Sequence, residues 1–221
     1  MWRVSTVLDI SGCSTPKITY AEETRVRGTA VHAANEALAE GYTPHVEVPE
    51  HQPYIDGLAS WYRGFAPQVI ATERRIVNRS KRLTGQIDLV ALIADARGWL
   101  DPYIVDVKTG SKAPWHGMQT AGYKDLALED EDLWALMPPP FSKWSYLDRE
   151  KGLRRSIIYL PGDGTAAWVV QNDPSDHYRF SAALGLMQWR YEHGLLTYTD
   201  PEQPDDTRPA VHVMPASEGA F

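Results

Sequence analysis

Cysteine is almost absent. With Cys13 alone, the chain has no internal disulfide, no four-cysteine zinc site and no iron–sulfur cluster held by four thiolates. A reducing compartment fits. Positive charge is also short: Lys+Arg 22 against Asp+Glu 29 give a formal charge of −7, which argues against a polyanion binder coated in basic residues. A local basic groove remains compatible with that balance. There is no apolar run of about 18 residues, and the opening MWRVSTVLDISG lacks a basic segment followed by the apolar stretch of a secretory leader. The expectation is a cytoplasmic protein without a membrane partner. What is present is ordinary for a folded chain: 43% hydrophobic and 23% charged residues, which excludes collagen-like, wholly disordered and disulfide-scaffold classes. At roughly 100–200 residues per domain, 221 residues make one domain. Its span is read as 1–198, followed by a proline-rich tail over 199–221 that is extended or mobile.

Periodicity sets out the elements. Residues 1–20 show no clear repeat and read as an irregular lead-in with room for one short helical turn. From Thr24, Val26, Ala30, Ala33, Ala34, Ala37 and Leu38 recur at helical spacing, and Gly41 supplies a stop. Tyr54 to Phe65 reads as a second helix closed by Pro67. Three strand-like runs follow at 69–77, 83–94 and 102–109, and their short links favour an antiparallel meander. Helical spacing returns over 114–129. The runs 153–160 and 165–171 flank the turn PGDG as a hairpin, and a last helix covers roughly 175–193.

The meander carries the chemistry. Alternation of period two puts Asp106 and Lys108 on one face of their strand and Val105 and Val107 on the other. If that strand pairs with the preceding one, Asp88 joins them. Carboxylates set among QIDLV and IVDVK are expensive to bury without a compensating charge, so a cation bound by oxygen, Mg²⁺ or Mn²⁺, is the natural guest. Lys108 would then orient or deprotonate the nucleophile. Each feature alone also fits a plainer account. A strand Asp two residues before a Lys is common on solvated sheets, and a histidine such as His32 beside Val31 and Ala33 is commonly structural. Gln119 and Tyr123, four apart on one helix face, could merely close a sheet edge.

The order RGTAVHAANE, ATERRI, GQID, IVDVKTG and QTAGY over about residues 25–125 resembles the PD-(D/E)XK nuclease superfamily, particularly its lambda-exonuclease and RecB-type branch. The resemblance implies an α/β fold with a restriction-endonuclease-like core, a mixed central β-sheet flanked by helices. It implies that His32, Asp88 and Asp106 are metal ligands with the Val107 carbonyl, that Lys108 is catalytic, and that Glu73 lies near the metal or positions a water. Gln119 and Tyr123 would brace the site and touch the DNA backbone. Ile87 stands where proline is frequent in the superfamily, and Asp106 where many members have Glu. Since Cys13 stands alone, the form implied is the cluster-free one of phage recombination exonucleases. The implied activity is metal-dependent hydrolysis of DNA from its ends, in recombination, repair or phage DNA processing in a bacterial or phage-infected cell. The partners implied are DNA, a single-strand annealing or recombination protein, and further copies of the chain in a homo-oligomer. The alternatives are a catalytically silent DNA-binding module on the same fold, a structure-specific endonuclease, and a metal-dependent enzyme acting on another phosphate.

Given the overall acidity, the nucleic-acid surface has to be local. ERRIVNRSKR packs Arg74, Arg75 and Arg79 into a strand and turn before the site, where basic groups would neutralise phosphates without reading sequence. A solvated charge run is the plain alternative. Arg25 and Arg27 precede His32 by one to two helical turns and could meet a terminal phosphate. Of the eight tryptophans, Trp115 alone is placed for base stacking, and the others read as core.

Overall fold

The computed structural model describes residues 1–14 and 22–196. The meander expected from the alternating runs is present as β2 (Gln68–Asn78), β3 (Leu83–Ala94) and β4 (Leu100–Lys108), successive antiparallel neighbours. Strand β5 (Arg154–Tyr159) lies parallel to β4, and β6 (Ala167–Val170) closes the sheet antiparallel to β5 after the PGDG turn. The sheet is therefore mixed, as expected. Helix α2 (Glu22–Ala39) and helix α3 (Gln52–Phe65) cover one face, burying Val31, Ala34, Ile55, Leu58 and Trp61 against Leu89, Ala91 and Val105. Helices α4 (Trp115–Leu128) and α7 (Ser175–Glu192) cover the other, with Leu126 and Phe180 packed in one cluster with Ile87, Val90 and Ile104. Helices α5 (Glu131–Leu136) and α6 (Tyr146–Gly152), capped by Asp130 and Ser145, link α4 to β5.

Three expectations need correction. The lead-in is not irregular: Trp2–Arg3 form β1, parallel to the start of β3, and Val4–Ile10 form α1, whose Val4, Val7 and Leu8 are buried in the cluster beneath α4 and α7. Two strand residues and seven helical ones are too few to show a period. On α2, Val26 is exposed, and the inward face consists of Val31, Ala34, Asn35 and Ala37. Trp99, at the tip of the β3–β4 hairpin, and Trp189 on α7 are 73% and 49% exposed rather than core. The tail over 199–221 lies outside the described residues, and no described helix is long and apolar enough to cross a membrane.

The strand partners of β3 are what open the site. Leu83 and Thr84 pair with β2 on one edge and with β1 on the other, while β4 takes that second edge only from Leu89 onward. Gly85 to Asp88 thus have no strand partner on the β4 side. Alternation also slips here: Ile87 packs in the α4-side cluster and Leu89 in the α2-side cluster, although two residues apart on a regular strand should share a face. Asp88 sits at that slip.

Close backbone approaches hold α4 to its neighbours. A Cβ at Gly122 would lie 2.6–2.9 Å from three ring carbons of Phe180 on α7, and one at Gly85 would lie 3.0 Å from the Tyr123 ring. Since Phe180 is fully buried and cannot swing into solvent, Gly122→Ala should destabilise the fold by about 1–3 kcal/mol. Urea denaturation should show this as a lower midpoint at unchanged slope.

Candidate metal and phosphodiester site

Three elements bring ligand atoms together. His32 comes from the middle of α2, Glu73 from β2 and Asp88 from β3, and one nitrogen or oxygen of each lies within 4.8 Å of the others. His32 Nδ1 is 2.9 Å from Glu73 Oε1 and 3.6 Å from Asp88 Oδ1. The flanking pairs Thr72–Leu89 and Arg74–Ile87 place Glu73 opposite Asp88. Glu73 adopts φ 47°, a left-handed conformation that side chains other than glycine rarely take within a strand. Such an outlier in the middle of a ladder points to a local functional constraint. Gln86 Nε2 donates to Glu73 Oε2 and fixes that carboxylate from the other side.

Asp88 completes the opened ladder. Its Oδ2 accepts the Val107 backbone N–H at 2.7 Å, the side chain doing for β4 what β3 backbone does further along. Val107 is thus tied to the site through its amide. Asp106 and Lys108 share a face, as alternation requires, with Lys108 Nζ 3.0 Å from Asp106 Oδ1 and 2.8 Å from Oδ2. The Oδ2 atom is buried without a hydrogen bond of good geometry, and Asp106 stands outside the His32–Glu73–Asp88 group.

The charges are out of balance in a way that favours a cation. Burial pushes the Asp88 carboxyl well above its ordinary range, and the Asp106 and Glu73 charges push the same way against His32. The Asp88 charge, followed by the hydrogen bond that His32 donates to Glu73, holds His32 protonated up to about 9 despite its partial burial. In the metal-free protein the imidazolium therefore serves as counterion to the buried carboxylates. A divalent cation fits the same donor set: carboxylate oxygens suit Mg²⁺ or Mn²⁺, a ring nitrogen is a normal ligand for Mn²⁺, and Asp106 Oδ2, ion-paired to Lys108, offers a further buried oxygen. Ligation would require His32 to give up its proton.

The other expected residues are placed unevenly. Gln119 and Tyr123 hydrogen-bond each other at 2.9 Å and are 6% and 8% exposed, Tyr123 lying over Gly85. That placement suits bracing and leaves little surface for DNA. Arg74 is turned to Asp130, the N-cap of α5, through Nε and Nη2, so it anchors β2 rather than lining a path. Arg75 and Arg79 are exposed. Arg25 is ion-paired to Glu22 on the solvent side of α2. Arg27 reaches the Thr109 carbonyl just beyond Lys108 at 3.3 Å, its guanidinium 4.8 Å from the Tyr54 ring centroid. Trp115 is half-buried against His116.

His116, Asn35 and Gln86 were not singled out from sequence. His116 is buried, hydrogen-bonds the Tyr159 hydroxyl at 3.0 Å and is held neutral, its pKa lowered to about 4 by burial and then by the Lys108 charge. Gln86 was accessible to the same reasoning, since period two from Asp88 points to it. Asn35, one helical turn beyond His32, carried no such signal.

Residues 42–149 match the family model of the PD-(D/E)XK nuclease superfamily. The match spans just under half of the chain and marks this stretch as similar to that superfamily. The matched span includes Glu73, Asp88, Asp106, Lys108, Gln119 and Tyr123, while His32 lies before it. Among solved structures, LHK-Exo in complex with dAMP is 13% identical and covers 89% of this chain and 94% of its own, with a TM-score of 0.28. An alkaline exonuclease, LHK-Exo, from Laribacter hongkongensis is 12% identical over 88% and 94%, with a TM-score of 0.29. Likeness at this level carries no argument about activity. No curated protein matches the chain.

Two expected outcomes follow from the electrostatics of this domain. His32 titrates higher in the folded chain than its ordinary 6.5, so its stabilising contribution is complete below that value and lost as pH rises through about 9. Asp88, raised by burial, adds a loss in the same direction. The melting temperature in chelator should therefore fall from pH 6.5 to pH 9.5, and His32→Gln should flatten its upper part. Asp88→Asn, which keeps an acceptor for Val107 while removing a charge, should hold or raise metal-free stability and abolish tight Mn²⁺ binding, measured by thermal melts and calorimetry.

Proposed function

We propose that the chain is a metal-dependent deoxyribonuclease that hydrolyses phosphodiester bonds from DNA ends, with a role in recombination, repair or phage DNA processing. The observation that carries this reading is the meeting of His32, Glu73 and Asp88 beside the Asp106–Lys108 pair, within the opened edge of β3. His32, Glu73 and Asp88 would hold Mg²⁺ or Mn²⁺, with Asp106 and the Val107 carbonyl as further oxygen ligands. When bound, such an ion lowers the pKa of water and polarises a phosphoryl oxygen. Lys108, held at the rim by Asp106, orients the attacking water or takes its proton, and its charge offsets the growing charge on the phosphate. Gln119 and Tyr123 brace the floor beneath β3. Arg27 sits beside the strand end that carries Lys108, where a terminal phosphate could be met by charge-assisted hydrogen bonds.

Preference for ends is supported by what the chain spends its elements on. The described helices and strands build and brace one sheet, and among them none forms a separate module that would read bases in a groove. A homo-oligomer and a single-strand annealing or recombination partner remain part of the proposal.

End-labelled linear duplex, single strand and covalently closed circle, digested with and without Mg²⁺, test the reading. Short products should be released from linear DNA only with metal, while the closed circle persists. Rapid conversion of closed plasmid to discrete fragments would instead make this an endonuclease. Lys108→Ala should leave DNA and metal affinity within a few-fold and lower single-turnover cleavage by about a hundredfold or more. Arg75→Ala and Arg79→Ala should weaken DNA binding and flatten its salt dependence. Arg74→Ala should lower stability more than affinity, because its partner is Asp130.

A further inference from the structure

We propose that Asn35 is a positioning residue, whose amide, clamped between the Tyr62 hydroxyl and the Asp88 backbone carbonyl, sets His32 at the right distance from Glu73 and Asp88. Its consequence for a bound cation rests on the metal-site reading above. Asn35 is completely buried. Its Nδ2 donates to the Asp88 carbonyl at 2.9 Å, and its Oδ1 accepts from Tyr62 Oη on α3 at 2.9 Å. One helical turn separates it from His32, so whatever fixes Asn35 fixes the neighbouring stretch of the same helix face.

Its apolar neighbours on α2 could not do this. The other buried residues of α2 are Val31, Ala34 and Ala37, mostly small side chains whose burial is favourable but non-directional. Alanines let a helix approach a sheet closely and offer little resistance to sliding along it. A hydrogen bond to one carbonyl depends on distance and angle and fails steeply when either is wrong. The carbonyl chosen is also special. Asp88 lies just before the first β3 residue paired with β4 and opposite left-handed Glu73, where the ladder is interrupted on both sides. Asn35 thus ties α2 to the residue that supplies a ligand, at the place where strand pairing cannot.

The Asp88 carbonyl, which can only accept, decides which way the amide points, and the Tyr62 hydroxyl then donates to Oδ1; a flipped amide would set oxygen against oxygen. Tyr62 is half-buried and Asn35 fully buried, so losing the hydroxyl leaves Oδ1 inside the protein without that partner. Three elements, α3, α2 and β3, are thereby joined through one side chain.

The test reads His32 directly in metal-free protein. The imidazole N–H bonded to Glu73 should give a protected proton resonance in ¹⁵N-labelled protein, assigned by its loss in His32→Ala. Asn35→Leu should lose that resonance and weaken Mn²⁺ binding by about tenfold or more, the scale for losing a residue that orients a ligand. Tyr62→Phe should shift both in the same direction by a smaller factor. Ile55→Ala, a packing loss in the same cluster that touches none of these bonds, should lower the melting temperature and leave both readouts unchanged. If Asn35→Leu keeps the resonance and Mn²⁺ affinity within twofold, the proposal is overturned; if that variant does not fold, unchanged readouts in Tyr62→Phe overturn it. Equal loss in Ile55→Ala would reduce Asn35 to a packing role. A wild-type protein that shows the resonance and binds Mn²⁺ but cuts no DNA would fail the nuclease reading and leave this one standing.

Discussion

The structure depends on one substitution of side chain for backbone: the Asp88 carboxylate takes the Val107 N–H where β3 and β4 part company. Without it, a buried strand amide would lack an acceptor at the point where the sheet opens. With it, a carboxylate is fixed inside the fold, close to Asp106 and Glu73, and the local charge must be answered by something positive. His32 answers it in the metal-free chain, and the donor set is suited to answer it with a cation. The geometry that leaves the ladder incomplete and the chemistry that needs a cation therefore have one origin.

Much of this was legible in the residues. The Val- and Ile-rich run LTGQIDLVALIA between polar links located β3 at its observed ends, and alternation placed Asp106 beside Lys108 with Val105 and Val107 behind them. The helices α2, α3, α4 and α7 and the strands of the meander declared themselves because a period needs several repeats to show. β1 and α1 did not, although Trp2, Val7 and Leu8 are as buried as any core residue.

Partners distant in sequence were less legible than faces. Arg74 looked like its neighbours Arg75 and Arg79 in a basic run, yet Asp130 claims it from the start of α5. Local composition reports charge and says nothing about what waits across the fold. The prominence of Glu73 is a similar case: its side chain joins the metal-competent group in a strand residue of left-handed backbone, a conformation that no propensity would assign to glutamate. Asn35 was hidden for the opposite reason, since a buried amide in an alanine-rich helix resembles a surface residue until its two partners are seen.

The pairing of the two ends of the described chain sets an order of assembly. Trp2 meets Tyr191 edge to face, and Gln188 donates to the Lys81 carbonyl beside the strand that β1 joins. These contacts close a loop spanning nearly the whole domain, whereas β2, β3 and β4 pair through short turns and α2 lies just ahead of them. Loop-closure entropy makes the terminal seam slow to form and the meander quick. The residues of the candidate site fall almost entirely in the quick part. The candidate site can therefore take shape around the growing meander before the seam closes, and a chain whose ends fray need not lose the arrangement of His32, Glu73 and Asp88.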